Sequence, residues 1–558
     1  MERLSELSST LVRLDPLTRR KLLVSGGALA VAANVIDHLP AQAQDATPTE
    51  AATPVSGESS LPAVPPEFEE QTNWPYEGGN LKATRVAAGS SISSDNVSKL
   101  ELAWSFPVSV DAPFGSLVAN PIVAGDTVFV QDALSNVYAV NKTTGEQIWA
   151  NTYNDDVPSG GPNGVAAAYG NVYFALGGSG VVVAVSAETG EELWRTTILG
   201  YLNEGITMAP LVYGGVVYIS TIPGSPDGFY HPGQRGIIFA IDALTGKVIW
   251  YFDTVTDNLW GNARVNSGGG IWHPPSVDDN GKLYVGIANA APFPGAPGFP
   301  SGSSRPGPND YCNALMRLNP ATGNYDWYTN LVPHDLWDHD NHLTPILATV
   351  TVDGKDRPLV ISSGKHGFVV AADPDTGYEY WRTPVGKHDQ NEFLADFPED
   401  NSVVESYPGF IGGVETPIAY SDGVVVAAAL DVLVTANADR TVGEQDITGS
   451  TSELVGVDAT TGGILWDVQF ETMAYGGATI ANDVVFTGGL DGVVRGFKVA
   501  DGSPVFTYQT NAGINTSFAI SGDYLFVAAG APLIAPQGGA TPSPATAQPA
   551  LIALKLQG

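Results

Sequence analysis

The sequence predicts an all-β fold, an eight-bladed β-propeller whose ring is closed by its own N- and C-terminal strands. Three observations carry this expectation. A short unit of the form A-x-D-x-x-T-G-x-x-x-W recurs along the chain, every copy ends in an aromatic residue, and apolar strands at the two ends look like halves of one more copy. Repetition of this kind marks propellers or solenoids, in which each unit buries only a local core, so a 558-residue chain need not divide into several domains. An open solenoid is the alternative arrangement.

Taken in chain order, the N-terminus reads as an address. Thr18-Arg19-Arg20-Lys21-Leu22-Leu23 precedes a small apolar run from Val24 to Ile36, and Ala41-Gln42-Ala43 has the form of a cleavage site. Paired arginines before a mild apolar segment resemble a twin-arginine export signal, so residues 1–43 are expected to send the protein to the periplasm or the cell exterior. The run is short and Gly/Ala-rich for a membrane anchor, although an uncleaved anchor is the alternative, and no other segment looks membrane-spanning. Residues 44–70, rich in Pro, Thr, Ser and Glu, are expected to form a flexible linker, and 71–558 the propeller.

The repeats open with AVNKTTGEQIW (Ala139 to Trp149), AVSAETGEELW (Ala184 to Trp194) and AIDALTGKVIW (Ala240 to Trp250); looser copies end at Trp327, Trp381, Trp466 and Phe506. Each reads as strand, tight turn, strand. Thr-Gly or Asp-Gly supplies the positive φ of a hairpin turn, and the closing aromatic can pack on the neighbouring unit. An earlier strand pair, such as the one containing Asn171 to Ala175, brings most units to four strands. Leu100 to Trp104 and Ala550 to Leu554 then complete an eighth unit and remove the free sheet edges. Wider gaps before Trp327 and Trp466 hold insertions, which in repeat proteins gather on one functional face.

Composition narrows the function. A net charge of −34, with only 25 Lys and Arg, repels phosphate backbones and argues against nucleic acid. It suits a cationic partner such as a basic electron carrier, or serves solubility alone. The one cysteine, Cys312, excludes internal disulfides, Cys-rich zinc sites and C-x-x-C-H haem attachment. Redox chemistry would therefore need a non-covalent organic cofactor, or a metal held by oxygen and nitrogen.

The repeat, with Asn73-Trp74-Pro75 and Leu100 to Trp104 ahead of it, resembles the tryptophan-docking motif of the PQQ-dependent (quinoprotein) alcohol dehydrogenases, from Asn73 to the C-terminus. Three further segments resemble that family's site. The first is Pro333-His334-Asp335-Leu336-Trp337-Asp338-His339-Asp340-Asn341. In an extended strand Asp338 and Asp340 would face the same way, two carboxylates for one hard cation. The resemblance implies Asp338 as general base and metal ligand, and Asp340 as the additional carboxylate of lanthanide-using members and of some calcium-using relatives. His334, His339 and His342 leave a zinc or iron site open as an alternative. The second segment is Gly268-Gly269-Gly270-Ile271-Trp272, followed by Gly286 to Phe293. It implies Trp272 as the floor under a planar quinone and Asn289 as a metal ligand. The third, Ser362-Ser363-Gly364-Lys365-His366-Gly367, implies Lys365 as a donor to the quinone oxygens. Thr207, in Thr207-Met208-Ala209-Pro210, implies a further cofactor contact. Blade packing would equally place a tryptophan at 272, and a surface hairpin a lysine at 365.

Two departures from the family stand out. Its adjacent cysteines, which cap the quinone, have no counterpart, and Pro162-Asn163-Gly164-Val165 occupies that region. Its metal-ligating glutamate is missing from Ser220 to Gly228, where Asp227 is the available substitute. The expectation is a soluble, exported dehydrogenase that uses PQQ with a Ca²⁺ or lanthanide ion. It would oxidise a small-molecule alcohol and pass electrons to an external acceptor such as a cytochrome c. A sugar, polyol or polymer substrate is a variant of this reading; a cofactor-free propeller acting as a binding or assembly scaffold is its rival.

Overall fold

The computed structural model describes residues 61–199, 204–224, 230–256, 258–534 and 548–558; the expected export signal lies outside them. Eight blade sheets of antiparallel strands follow one another along the chain. Blade 1 is built from Ile122–Ala124, Thr127–Gln131, Val137–Asn141 and Gln147–Asn151, paired in that order. Blades 2 to 7 repeat the pattern over 165–197, 211–253, 276–330, 346–384, 419–470 and 479–509. Blade 8 takes Ala519–Ser521, Tyr524–Ala529 and Ala550–Leu556 from the C-terminal end and its outer strand, Leu100–Pro107, from the other. Their register runs from Leu100 opposite Leu556 to Pro107 opposite Ala550. The two ends thus share one sheet, as expected, with Ala550–Leu556 paired on both sides and Leu100–Pro107 as the outer edge.

Neighbouring blades cover both faces of the middle strands, and in blade 8 Tyr524–Ala529 is buried at every position. The repeat's tryptophans join blade to blade. The indole N–H groups of Trp104, Trp149, Trp194, Trp250, Trp327, Trp381 and Trp466 donate to carbonyls of Lys142, Ala187, Ala243, Pro320, Pro374, Ala459 and Val499, at 2.7–3.1 Å. Each acceptor lies in the hairpin of the following blade, so Trp104 of blade 8 docks on blade 1.

The expected linker is only partly described. Its last residues, 61–70, lie on the propeller: the Glu67 carboxylate accepts from the N–H groups of Tyr169 and Gly170, and the Tyr169 hydroxyl donates to the Pro62 carbonyl. Beyond it the chain runs round the axis. Trp74 bonds Val123, and the carbonyls of Pro75, Leu81, Lys82, Thr84 and Arg85 accept from Ala167, Val277, Leu347, Tyr420 and Ile480. The segment therefore crosses the first strands of blades 1, 2, 4, 5, 6 and 7. Among the described residues no helix is long and apolar enough to cross a membrane.

Candidate active site

In a four-stranded antiparallel blade, the connection that enters the first strand and the one that joins the second to the third lie at the same end. Thr207, Trp272, Asp338 and Asp340 lie in connections between successive blades, and Asn289 and Lys365 in second-to-third connections of blades 4 and 5. All six therefore share one end of the propeller. Asp227 lies outside the described residues. The 74–87 segment covers the opposite end, since its partners Val123, Tyr420 and Ile480 sit beside first-to-second turns.

Three of these side chains meet directly, and a fourth residue, Asn289, joins them through its backbone. Lys365 Nζ is 3.0 Å from Asp338 Oδ2 and 2.8 Å from Asp340 Oδ2, and Asp340 Oδ1 accepts from the backbone N–H of Asn289. All four residues are buried. The glycine run leading to Trp272 lies alongside Asn289: Gly269 N–H donates to the Asn289 carbonyl, and Ala288 N–H to that of Gly270, at 2.8 and 2.9 Å. Gly268, at φ +143°, passes so close that a Cβ there would lie 2.6 Å from the Asn289 carbonyl oxygen. Trp272 and Thr207 form a second group around Gly161, whose Cβ would fall 2.8 Å from Trp272 Cζ3 and 3.2 Å from Thr207 Cβ. Gly161 thus covers the indole beside the segment that stands in place of the family's cysteine pair.

The expectation that Asp338 and Asp340 align because they lie in an extended strand is corrected. Residues 331–345 form no strand, the next begins at Ile346, and Asp338 has φ +65°. The chain is folded back on Asp335, whose carboxylate accepts from the N–H groups of Trp337 and His339, both at 2.8 Å. The two carboxylates converge because the Lys365 ammonium lies between them.

Burial pushes the Asp338 carboxyl well above the usual carboxylate range, and the charges of Asp340 and Asp335 add to this against the pull of Lys365. Burial alone would depress Lys365, but Asp338 and Asp340 more than offset it and hold the ammonium well above the ordinary lysine value. The result is a permanent cation beside a carboxylate of raised basicity.

Asn289 Oδ1, Asp338 Oδ1 and Thr207 Oγ1 are buried with no hydrogen-bond partner among the described residues. Orphaned oxygens are costly in a folded interior and call for a ligand. Two carboxylates and a carboxamide around a site already occupied by an ammonium suit a hard cation. The indole of Trp272, beside Thr207, suits a planar ring with a polar rim. The histidine alternative has no such convergence. His334 meets the Gly307 carbonyl, His339 that of Pro408 and His342 Glu415, and no three His, Cys, Asp or Glu side chains gather as a metal site among the described residues.

Sequence reasoning missed three features. Tyr230 is one: its buried hydroxyl lacks a partner among the described residues, and burial, then Asp340 and Asp338, hold its pKa well above the ordinary phenol value. Arg440 is the second, at the tip of the long blade 6 hairpin between Val424–Ala436 and Gly443–Asp458. That hairpin is the insertion before Trp466, and it meets the insertion before Trp327 through a bond from Ser301 N–H to the Ala438 carbonyl at 2.9 Å. The scarcity of basic residues that singled out Lys365 would have singled out Arg440 as well. Third, a row of buried groups runs behind Trp272. His273 Nδ1 is 2.5 Å from Glu77 Oε1, the His273 and His342 rings are 5.5 Å apart, and His342 Nε2 is 3.3 Å from Glu415 Oε2.

Comparison with known proteins bears on the fold and the family. A family model described as "Glucose/ethanol/alcohol dehydrogenase, beta-propeller domain" matches residues 198–392, a span that holds all six described site residues. Another, described as "Outer membrane protein assembly factor BamB", matches 77–157, 94–224 and 365–540. The chain is 27% identical over 526 residues to the quinohemoprotein alcohol dehydrogenase of Comamonas testosteroni, covering 82% of this chain and 72% of the relative. It is 25% identical over 523 residues to the putative dehydrogenase XoxF of Paracoccus denitrificans, covering 79% and 83%. Against the quinohemoprotein alcohol dehydrogenase ADH-IIG of Pseudomonas putida it is 26% identical over 336 residues, covering 55% of this chain and only 45% of that protein. Among solved structures, the Comamonas testosteroni enzyme superposes with a TM-score of 0.73 at 24% identity, covering 87% of this chain and 81% of that one. A europium-containing methanol dehydrogenase gives 0.68 at 21%, covering 83% and 91%. At these identities the structural likeness is one of fold.

Proposed function

The chain belongs to the PQQ-dependent alcohol dehydrogenase family, and from that premise we propose that it is an exported quinoprotein dehydrogenase that oxidises an alcohol, with PQQ and a Ca²⁺ or lanthanide ion as cofactors. The observation that carries this reading is the buried Asp338–Lys365–Asp340–Asn289 cluster with its orphaned oxygens. A scaffold has no use for such a cluster. The BamB matches also stop at 224 and resume at 365, leaving out Trp272, Asn289, Asp338 and Asp340.

Asn289 Oδ1, Asp338 and Asp340 are the metal's oxygen ligands in this reading, with Asp227 as a further one. Trp272 and Thr207 bind the quinone, and Lys365 donates to its rim. When bound, the quinone supplies a hydride acceptor and the metal a Lewis acid. Asp338 takes the alcohol's hydroxyl proton at Oδ1, while Oδ2 stays paired with Lys365, which holds the carboxylate in place. The alcohol leaves as a carbonyl compound, having lost two electrons and two protons. With a single cysteine there is no haem-attachment pair, so the electrons pass to an external carrier. The net charge of −34 favours a cationic one such as a cytochrome c.

The test is an anaerobic titration of metal-depleted protein with PQQ, with and without Ca²⁺ or La³⁺, following quinone absorbance and alcohol-driven dye reduction. Metal-dependent binding is expected. Asp338→Asn should keep the absorbance change and lose dye turnover by about 10²–10⁴-fold. Failure of PQQ to bind with either ion would overturn the dehydrogenase reading in favour of the scaffold.

A further inference from the structure

We propose that Arg440 equips this site for alcohols that also carry a carboxylate: the guanidinium binds the acid group while the carbinol lies at Asp338. The inference rests on the dehydrogenase reading for the carbinol end, but its acid end stands on the geometry of Arg440 itself.

Arg440, which is half-buried, behaves differently from the buried arginines Arg85 and Arg305. Arg85 reaches the Glu77, Ala478 and Phe518 carbonyls and Thr479 Oγ1. Arg305 reaches the Pro292 and Asp335 carbonyls and Asn309 Oδ1. Both are structural clamps whose donors are matched by acceptors. Among the described residues the Arg440 guanidinium instead makes one hydrogen bond, from Nη1 to the Phe293 carbonyl, and has no carboxylate within ion-pair reach. A guanidinium has five N–H donors in a rigid fork, so most of this one is unmatched. Phe293 and Phe410 flank it from one side, their centroids 4.5 and 4.2 Å from Cζ and 5.6 Å from each other. Burial lowers the Arg440 pKa, and the carboxylate whose charge bears most on it is that of Asp338. Phe293 in turn packs edge-on against Tyr230, at 5.4 Å, and the Tyr230 hydroxyl, near Asp340 and Asp338, has no partner among the described residues.

A planar, half-buried, aromatic-flanked cation with open donors is matched best by a carboxylate, which accepts two parallel N–H bonds. Its carrier, the blade 6 hairpin, extends well beyond the length its own sheet uses: strands of 13 and 16 residues pair, whereas the equivalent strands of blade 1 have 5 each. The insertion thus places a cation over the site in a chain whose surface charge is strongly negative.

A carboxylate at Arg440 has two chemical sources, the substrate or the cofactor, since PQQ is itself a polycarboxylic acid. The experiment separates them. Isobutyrate, which has no carbinol to oxidise, and isobutyramide as its neutral counterpart are titrated into protein with and without PQQ and Ca²⁺, by calorimetry. Steady-state dye reduction then compares 4-hydroxybutyrate with 1-butanol. Isobutyrate but not isobutyramide is expected to bind the loaded protein. In Arg440→Met the ratio of kcat/KM for hydroxy acid over alkanol should fall by about ten- to a hundredfold, mostly through KM, with Arg440→Lys in between. Arg440→Gln serves if the Met variant does not fold. Binding of isobutyrate that survives Arg440→Met overturns the proposal. So does isobutyrate binding that PQQ loading abolishes, coupled with weaker PQQ binding by the variant, because the fork then serves the cofactor. Absence of isobutyrate binding in both states overturns it too. If isobutyrate binds through Arg440 but no alcohol drives dye reduction, the dehydrogenase reading fails while the carboxylate site stands.

Discussion

Lys365 is the residue on which the charge balance of the site turns. Two buried carboxylates 2.8 and 3.0 Å from one ammonium leave a single net negative charge with little water to stabilise it. Removing the cation leaves two like charges facing each other in a low-dielectric interior, the costly way to break a buried pair. Lys365→Met is expected to destabilise the metal-depleted protein by about 3–5 kcal/mol in urea unfolding. Added Ca²⁺ or La³⁺ should recover more stability in the variant than in the parent, because the ion restores positive charge between Asp338 and Asp340. Equal recovery in both proteins would show that the ion binds elsewhere.

At the scale of the element, the repeat's hairpin answers two demands with one glycine. Gly377 sits at φ +71°, and a Cβ there would fall 2.5 Å from Trp327 of the preceding blade. The turn requires the left-handed backbone, and the docking indole requires an absent side chain. Gly522, at φ +61°, turns the first hairpin of blade 8 with nothing within 4 Å of its would-be Cβ. Gly522→Ala should therefore cost only the backbone term, about 1–2 kcal/mol. Gly377→Ala should cost distinctly more, because Trp327 and its 3.0 Å bond to the Pro374 carbonyl must also shift. Urea midpoints of the two variants decide this, and equal losses would mean that the indole gives way freely.

For the whole molecule, the decisive junction lies between blades 8 and 1. Leu100–Pro107 pairs with Ala550–Leu556, and Trp104 from that strand bonds the Lys142 carbonyl at 2.9 Å. Every other blade is held by a continuous chain, whereas this one depends on non-covalent pairing of strands more than 440 positions apart. Trp104→Ala is expected to cost about 3–5 kcal/mol, in the range for a buried aromatic. Hydrogen exchange should speed up in 100–107 and 550–556 before it does in blades 3 to 5. Uniform acceleration over all blades would show that the junction is no weaker than the rest.

The sequence by itself determined the blade count and the shared eighth blade, and it named six residues that the structure places at one end of the propeller, because each of these depends on local grammar. Turn glycines, docking tryptophans and short motifs such as Asp338-His339-Asp340 or Ser363-Gly364-Lys365 carry their meaning in adjacent positions. Only the tertiary structure decided what the motifs do to one another. Asp338 and Asp340 face together through Lys365 and a fold on Asp335, rather than through strand alternation. Gly161 covers Trp272, residues 74–87 wrap the far end of the axis, and the two insertions bring Arg440 to Phe293. Those contacts join segments far apart in the chain, and no local pattern records which distant side chain will satisfy a buried charge. Burial and pairing, which set both the basicity of Asp338 and the open fork of Arg440, arise only when the blades close around the axis.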